Sequence, residues 1–158
     1  MRNILLVLCL LIAKLSIAQT VCDSLLSAAG NAYQEQGAEA AIAIYDKMIS
    51  LKCDSLSVVY SRRGFMYNTI RKYDNALSGF NNALGIDSLN AYANKAATNS
   101  YLHKYSDAIK LLNTAIKLSP NSSLFYKMRA DIETNNNENN IAISDYERSI
   151  TLDSSDDV

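Results

Sequence analysis

Proline occurs once in this chain of 158 residues, and glycine only five times. With so few helix breakers, the backbone is free to run as helix almost throughout. Histidine is also single, at His103, so no imidazole pair is available to anchor a metal. No glycine-rich loop cradles a phosphate, and no Ser, Thr or Cys has a base placed beside it by spacing. Carboxylate pairs such as Asp131 and Asp145 occur, but nothing sets them around a cleft. These absences argue against an enzyme and against a bound cofactor or metal. Basic residues are scattered, apart from Arg62, Arg63, Arg71 and Lys72, and the formal net charge is −1. Without a basic stripe, nucleic acid is not an expected partner.

What is present is the composition of a folded chain, 49% hydrophobic and 20% charged, at about one domain's length. Residues 1–18 read as a signal peptide. A short positive start, Met1-Arg2-Asn3, precedes the apolar run Ile4 to Ala13, and Ser16-Ile17-Ala18 offers small residues before a cut. The run is short for a membrane span, so no span is expected after cleavage. Loss of Arg2 and Lys14 takes the charge to −3. The expected location is the periplasm or outside the cell, in a Gram-negative bacterium. Cys9 leaves with the leader, and neither it nor Cys22 follows the small residue that bacterial lipidation requires.

Four alanines organise the remainder. Ala41, Ala76, Ala108 and Ala142 stand 35, 32 and 34 residues apart. Four residues after each comes a bulky side chain: Tyr45, Phe80, Leu112, Tyr146. Seven after come Ala83, Ala115 and Ser149, with Met48 the exception. Twelve before stand Ala29, Gly64, Ala96 and Ala130, and sixteen before stand Leu25, Tyr60, Tyr92 and Tyr126. Self-similarity near 34 residues marks stacked helical units, none of which buries enough surface to fold alone. The three- and four-residue steps put small and large residues on one face of each helix. Small ones let backbones approach, and aromatics fill the flanking space, so the named tyrosines are expected in the core.

The pattern predicts eight helices, at 22–36, 39–51, 57–69, 73–85, 90–102, 105–118, 122–134 and 139–152. Asp54-Ser55, Asp87-Ser88 and Asn121-Ser122 precede helices whose exposed amides their side chains can cap. Pro120 stops the helix before it, and Asn135 to Asn140 forms a polar turn.

These residues resemble the tetratricopeptide repeat, a pair of antiparallel helices per unit. Repeat 2 matches best, through Tyr60, Gly64, Tyr67, Tyr73, Ala76, Phe80 and Ala83, although Arg63 stands where Leu is usual. The resemblance implies an all-α fold, a right-handed α-solenoid of about four repeats (22–56, 57–88, 89–122 and 123–153) within a domain spanning 19–153, then an acidic tail at 154–158. It also implies a concave groove lined by the first helices. In the family, positions 2, 5, 6, 9 and 12 or 13 of each repeat face the ligand; carried onto this chain, the groove's middle holds Arg62, Phe65, Asn94, Ala97, Tyr101, Lys127 and Asp131. A mixed surface of this kind suits a peptide or a partner protein. One subtype of the family clamps a C-terminal carboxylate. Asn94 fits its asparagine slot, but Ser61 and Phe65 occupy its Lys and Asn slots, so that clamp is incomplete.

Antiparallel pairing brings the start of the first helix near the end of the second, which permits a Cys22–Cys53 disulfide in an oxidising compartment. Two buried thiols are the alternative. The triplets beginning at Asp23, Asp54 and Asp87 read as caps, and they also fit an Asp-Ser-apolar pattern for O-linked sugars. After Leu152 too little sequence remains to form a covering helix, so either the sequence is a fragment or Ile143, Ile150 and part of Tyr146 are exposed to a partner or to a second copy. The expected role is therefore a non-enzymatic binding module of the envelope. A self-associating structural subunit, or an accessory part of a secretion or assembly complex, is the rival.

Overall fold

A computed structural model describes residues 2–84 and 89–155, with the side chains described from residue 19 to residue 154. Among the described residues there are eight helices and no strand. In chain order they are α1 (Arg2–Gln36), α2 (Ala38–Ser50), α3 (Leu56–Thr69), α4 (Tyr73–Leu84), α5 (Leu89–Tyr101), α6 (Tyr105–Leu118), α7 (Ser123–Asn135) and α8 (Asn139–Ser155). Each packs on its neighbours in sequence, the strongest pairings being α1 with α2, α3 with α4, α5 with α6 and α7 with α8. The result is an all-α solenoid.

The organising alanines sit where the helices approach most closely. Ala41, Ala76, Ala108, Ala29, Ala96 and Ala130 are fully buried. At Gly64 the approach is tighter still, because a Cβ there would stand 2.7 Å from the Phe80 ring. Around these contacts lie three apolar clusters. One joins Tyr45, Met48, Val59 and Met66, one centres on Phe80, and one joins Leu112, Phe125 and Ile132.

Turns within the repeats share one chemistry. Arg71, His103 and Asn137 adopt left-handed backbone conformations, and Gly37 also has positive φ. After α3, the Arg71 amide donates to Asn68 O (3.0 Å) and the Lys72 amide to Tyr67 O (2.9 Å). The same bond pair recurs after α5 and α7. These bonds satisfy the last helical carbonyls and reverse the chain.

Several expectations need correcting. α1 does not begin at residue 22 but runs unbroken from Arg2, because no Gly or Pro interrupts the chain before Gly30. Asp23 therefore lies inside a helix and caps nothing; its carboxylate accepts from Gln19 Nε2 (3.3 Å). Ser55 and Ser122 hold the N-cap positions, but neither makes a side-chain cap hydrogen bond. Asp87 and Ser88 lie outside the described residues. Of the aromatics assigned to the core, Tyr45 and Phe80 are buried, whereas Tyr60, Tyr67, Tyr73, Tyr92, Tyr126 and Tyr146 are half-buried. Half burial suits an apolar ring with a polar tip; the Tyr126 hydroxyl donates to Pro120 O at 3.2 Å and the Tyr146 hydroxyl to Asp131.

Polar ties cross each junction between repeats. Arg63 donates to Asp46, Lys95 to Asn81 and Arg129 to Asn113. In each case a cation stands one residue before the small position of a first helix. Its acceptor stands five residues after the alanine of the preceding second helix. Cys22, within α1, is bonded to Cys53 in the turn after α2, with Cα atoms 5.8 Å apart.

Candidate functional site

Three adjoining cavities run along the first helices α1, α3, α5 and α7. The largest, about 660 Å³, is bordered by Tyr33 of α1, Val58, Arg62 and Phe65 of α3, Asn94 of α5 and Leu124 of α7. A second, about 340 Å³, lies between α3 and α5 at Phe65, Asn68, Arg71, Asn94 and Tyr101, with Tyr73 of α4 in its wall. The third, about 180 Å³, lies between α5 and α7 at Ala97, Tyr101, Met128 and Asp131. Phe65 and Asn94 belong to the first two cavities, and Ala97 and Tyr101 to the second and third. One continuous groove results.

Six of the seven residues assigned to the groove from the sequence border it: Arg62, Phe65, Asn94, Ala97, Tyr101 and Asp131. Lys127 is exposed but borders none of the three cavities. Phe65 is 48% exposed and Tyr101 61%, high values for apolar rings. Tyr101 stacks against Tyr73, with ring centroids 6.0 Å apart. Tyr73 is thus a groove residue that sequence reasoning placed in the core. Tyr33, Val58 and Leu124 were also missed, although they hold positions 12, 2 and 2 of their repeats. Applying the repeat's ligand-facing positions to every unit, and not only to the middle, finds Val58 and Leu124 at position 2 and Tyr33 at position 12.

The charge along the groove is uneven. Arg62 and Arg71 are the only charged residues bordering the two larger cavities, and neither makes an ion pair among the described residues. The buried Ser61 hydroxyl also borders the largest cavity and has no hydrogen-bond partner among the described residues. Asp131, at the far end, accepts from the Tyr146 hydroxyl at 2.7 Å, and that bond raises the Tyr146 pKa above its ordinary value. An apolar channel with cations near its middle can hold an extended segment that combines bulky side chains with negative charge.

Other candidate groups have structural uses. Asp145 is buried and receives two hydrogen bonds from Arg129, from Nε and from Nη2 (2.8 Å to Asp145 Oδ1). Hydrogen bonding to Asp145 raises the Arg129 pKa. Glu133 lies beside this pair, 3.8 Å from Arg129 Nε, and is itself buried. Burial, and then the Asp145 charge, raise its pKa above the usual carboxylate range. Asp131 and Asp145 thus serve different contacts. His103 sits in a turn, with Nδ1 at 2.8 Å from the Tyr105 hydroxyl. Among the described residues, no group of three or more His, Cys, Asp or Glu could hold a metal ion. No helix among them is long and apolar enough to cross a membrane.

Antiparallel helix pairs stacked beside a continuous groove define a helical-repeat solenoid. The chain is similar to a solved structure of MamA (residue 41 to the end) from Desulfovibrio magneticus RS-1, with a TM-score of 0.75 and 15% identity over 87% of this chain and 78% of that one. It is also similar to the second TPR domain of human RPAP3, solved in complex with an HSP70 peptide, with a TM-score of 0.66 and 20% identity over 73% of this chain and 98% of the domain. Among curated proteins, a DnaJ homolog subfamily C member 7 homolog from Dictyostelium discoideum is 31% identical over 98 residues, or 58% of this chain. The matched region spans 18% of that relative's length. No protein-family profile matches the chain. The chain thus has the fold of tetratricopeptide-repeat domains.

Proposed function

We propose that this chain is a non-enzymatic protein-interaction module that captures an extended peptide segment of a partner in the groove along α1, α3, α5 and α7. The observation that carries this reading is the exposure of Phe65 and Tyr101 in adjoining cavities whose only cations, Arg62 and Arg71, lack ion-pair partners among the described residues. Exposed aromatics anchor interfaces because they bury large areas at low entropic cost. The preferred ligand carries bulky apolar side chains around an Asp or Glu. The RPAP3 domain, which has the same fold, was solved with an HSP70 peptide whose sequence, SGPTIEEVD, is acidic and apolar. Ser61 and Phe65 make a tail-carboxylate clamp incomplete here, so an internal acidic segment is the favoured ligand.

The setting we propose is the bacterial envelope or the exterior, with the mature chain beginning at Gln19. The leader-like start and the Cys22–Cys53 bond support it, since such bonds persist in oxidising compartments. Selection of a random displayed-peptide library on the mature protein should enrich sequences pairing Asp or Glu with Leu, Phe or Tyr. Enrichment of basic or featureless sequences would overturn the ligand class.

A further inference from the structure

The charge bordering the groove changes sign from one cavity to the next. Arg71 is the only charged residue at the cavity between α3 and α5, and Asp131 the only one at the cavity between α5 and α7. Tyr101 borders both cavities, so the two opposite charges flank one exposed aromatic ring.

Both charges are held in place and unpaired. Arg71 is exposed and occupies the left-handed position of the turn after α3, where its amide donates to Asn68 O at 3.0 Å. Asp131 is exposed, and its Oδ1 accepts from the Tyr146 hydroxyl of α8 at 2.7 Å, which ties the carboxylate to the neighbouring helix. Neither makes an ion pair among the described residues. Lys127, one turn earlier on α7, is exposed, borders neither cavity and does not pair with Asp131.

We propose that the partner segment captured in the groove is dipolar. It places an Asp or Glu at Arg71, a bulky apolar residue over Tyr101 and a Lys or Arg at Asp131. This rests on the reading of the groove as a peptide site and adds to it a second charge, a spacing and a direction. Packed helices lie about 8–10 Å apart and an extended chain advances about 3.3 Å per residue, so the acid and the base stand about three residues apart with the apolar residue between them. Laid in the reverse direction, the segment would meet like charge at both cavities, which fixes its orientation. A segment carrying acids alone would set one of them beside Asp131, and that repulsion selects against it.

The probe is a displayed library of random peptides, selected in parallel on the mature wild type, on Asp131→Lys and on Arg71→Gln. The wild type should enrich an acid and a base about three positions apart around an apolar residue. Asp131→Lys should enrich an acid where the wild type takes the base, and Arg71→Gln should lose the preference for the first acid while keeping the base. A synthetic peptide of the winning sequence should bind Asp131→Lys at least tenfold more weakly than wild type, and replacing its base by Glu should restore affinity for that variant. Asp131→Asn keeps an acceptor for Tyr146 and removes only charge, so a weaker, less salt-dependent binding to it isolates the electrostatic part. Arg71 and Asp131 are both exposed, so all three variants should keep the wild-type helical signal. Acidic and apolar winners with no base at a fixed spacing, or a base whose selection is indifferent to Asp131→Lys, would overturn the dipolar assignment and leave the groove reading standing. Winners without acidic and apolar character, or no winners, would overturn both.

Discussion

Replacing Gly64 by alanine sets two effects of known sign against each other. In an ordinary helix interior this change stabilises by about 0.5–1 kcal/mol, because glycine loses more backbone entropy on folding. At Gly64 the new methyl would stand 2.7 Å from Phe80 Cε1 and 3.0 Å from Cδ1 and Cζ, where carbon atoms prefer about 3.5–4.0 Å. Phe80 is fully buried, so its ring cannot swing into solvent. Behind it, a Cβ on Gly79 would already stand 3.2 Å from the Gly64 Cα, so α3 and α4 cannot easily part. Overpacking of this kind costs about 1–3 kcal/mol. The clash wins, and the net loss is about 1–2 kcal/mol, or about 3–6 °C in Tm for a domain of this size. Gly30, on the exposed side of α1 with nothing within 4 Å of an added Cβ, is the internal control. Gly30→Ala should raise Tm slightly while Gly64→Ala lowers it. Thermal melts followed by far-UV circular dichroism read both. If both variants stabilise, the close packing of α3 on α4 is wrong.

Removing the disulfide by Cys22→Ser with Cys53→Ser should lower stability by about 3–4 kcal/mol on the chain-entropy treatment of a loop this long; urea unfolding of oxidised protein and variant measures the difference. Arg129→Leu should cost about 3–5 kcal/mol, because it strands the buried carboxylates Asp145 and Glu133. A loss no larger than that of an exposed arginine such as Arg62→Leu would contradict that role. Glu133→Gln should stabilise near neutral pH, since the native fold disfavours the charged form. The sign follows from the raised pKa: the wild type takes up a proton on folding as pH falls through that value, so its deficit relative to Glu133→Gln shrinks on acidification. Paired chemical melts at pH 7 and pH 5 test this; a gap that widens at low pH would contradict it.

How much was legible depended on which features repeat. The alanine spacing located helices α2 to α7 within one residue and α8 within three, because the turns after α3, α5 and α7 each place a left-handed residue (Arg71, His103, Asn137) five residues before the alanine of the next helix. The start of α1 was not legible. Residues 2–29 hold no Gly or Pro, so nothing in that stretch breaks the helix before the first repeat. Phe65 and Tyr101 could be placed in the groove because the repeat assigns faces to positions. Tyr73 could not, since it occupies a large-residue position of a second helix, where the pattern predicts core, yet it borders the groove and stacks on Tyr101. The cations at the junctions were visible as departures, Arg63 standing where leucine is usual. Their meaning needed the partner residues Asp46, Asn81 and Asn113, each on a different helix and more than a dozen residues away.

The groove is the central claim, and amide chemical-shift mapping tests it most directly. A peptide selected on the mature protein should be titrated into isotope-labelled protein and its contact surface read from the shifted resonances. The shifts should concentrate at Tyr33, Val58, Arg62, Phe65, Asn94 and Tyr101, and Phe65→Ala with Tyr101→Ala should weaken binding at least tenfold without changing helical content. Shifts confined to the second helices α2, α4 and α6, or an affinity unchanged in the double variant, would contradict the assignment of this groove as the binding surface.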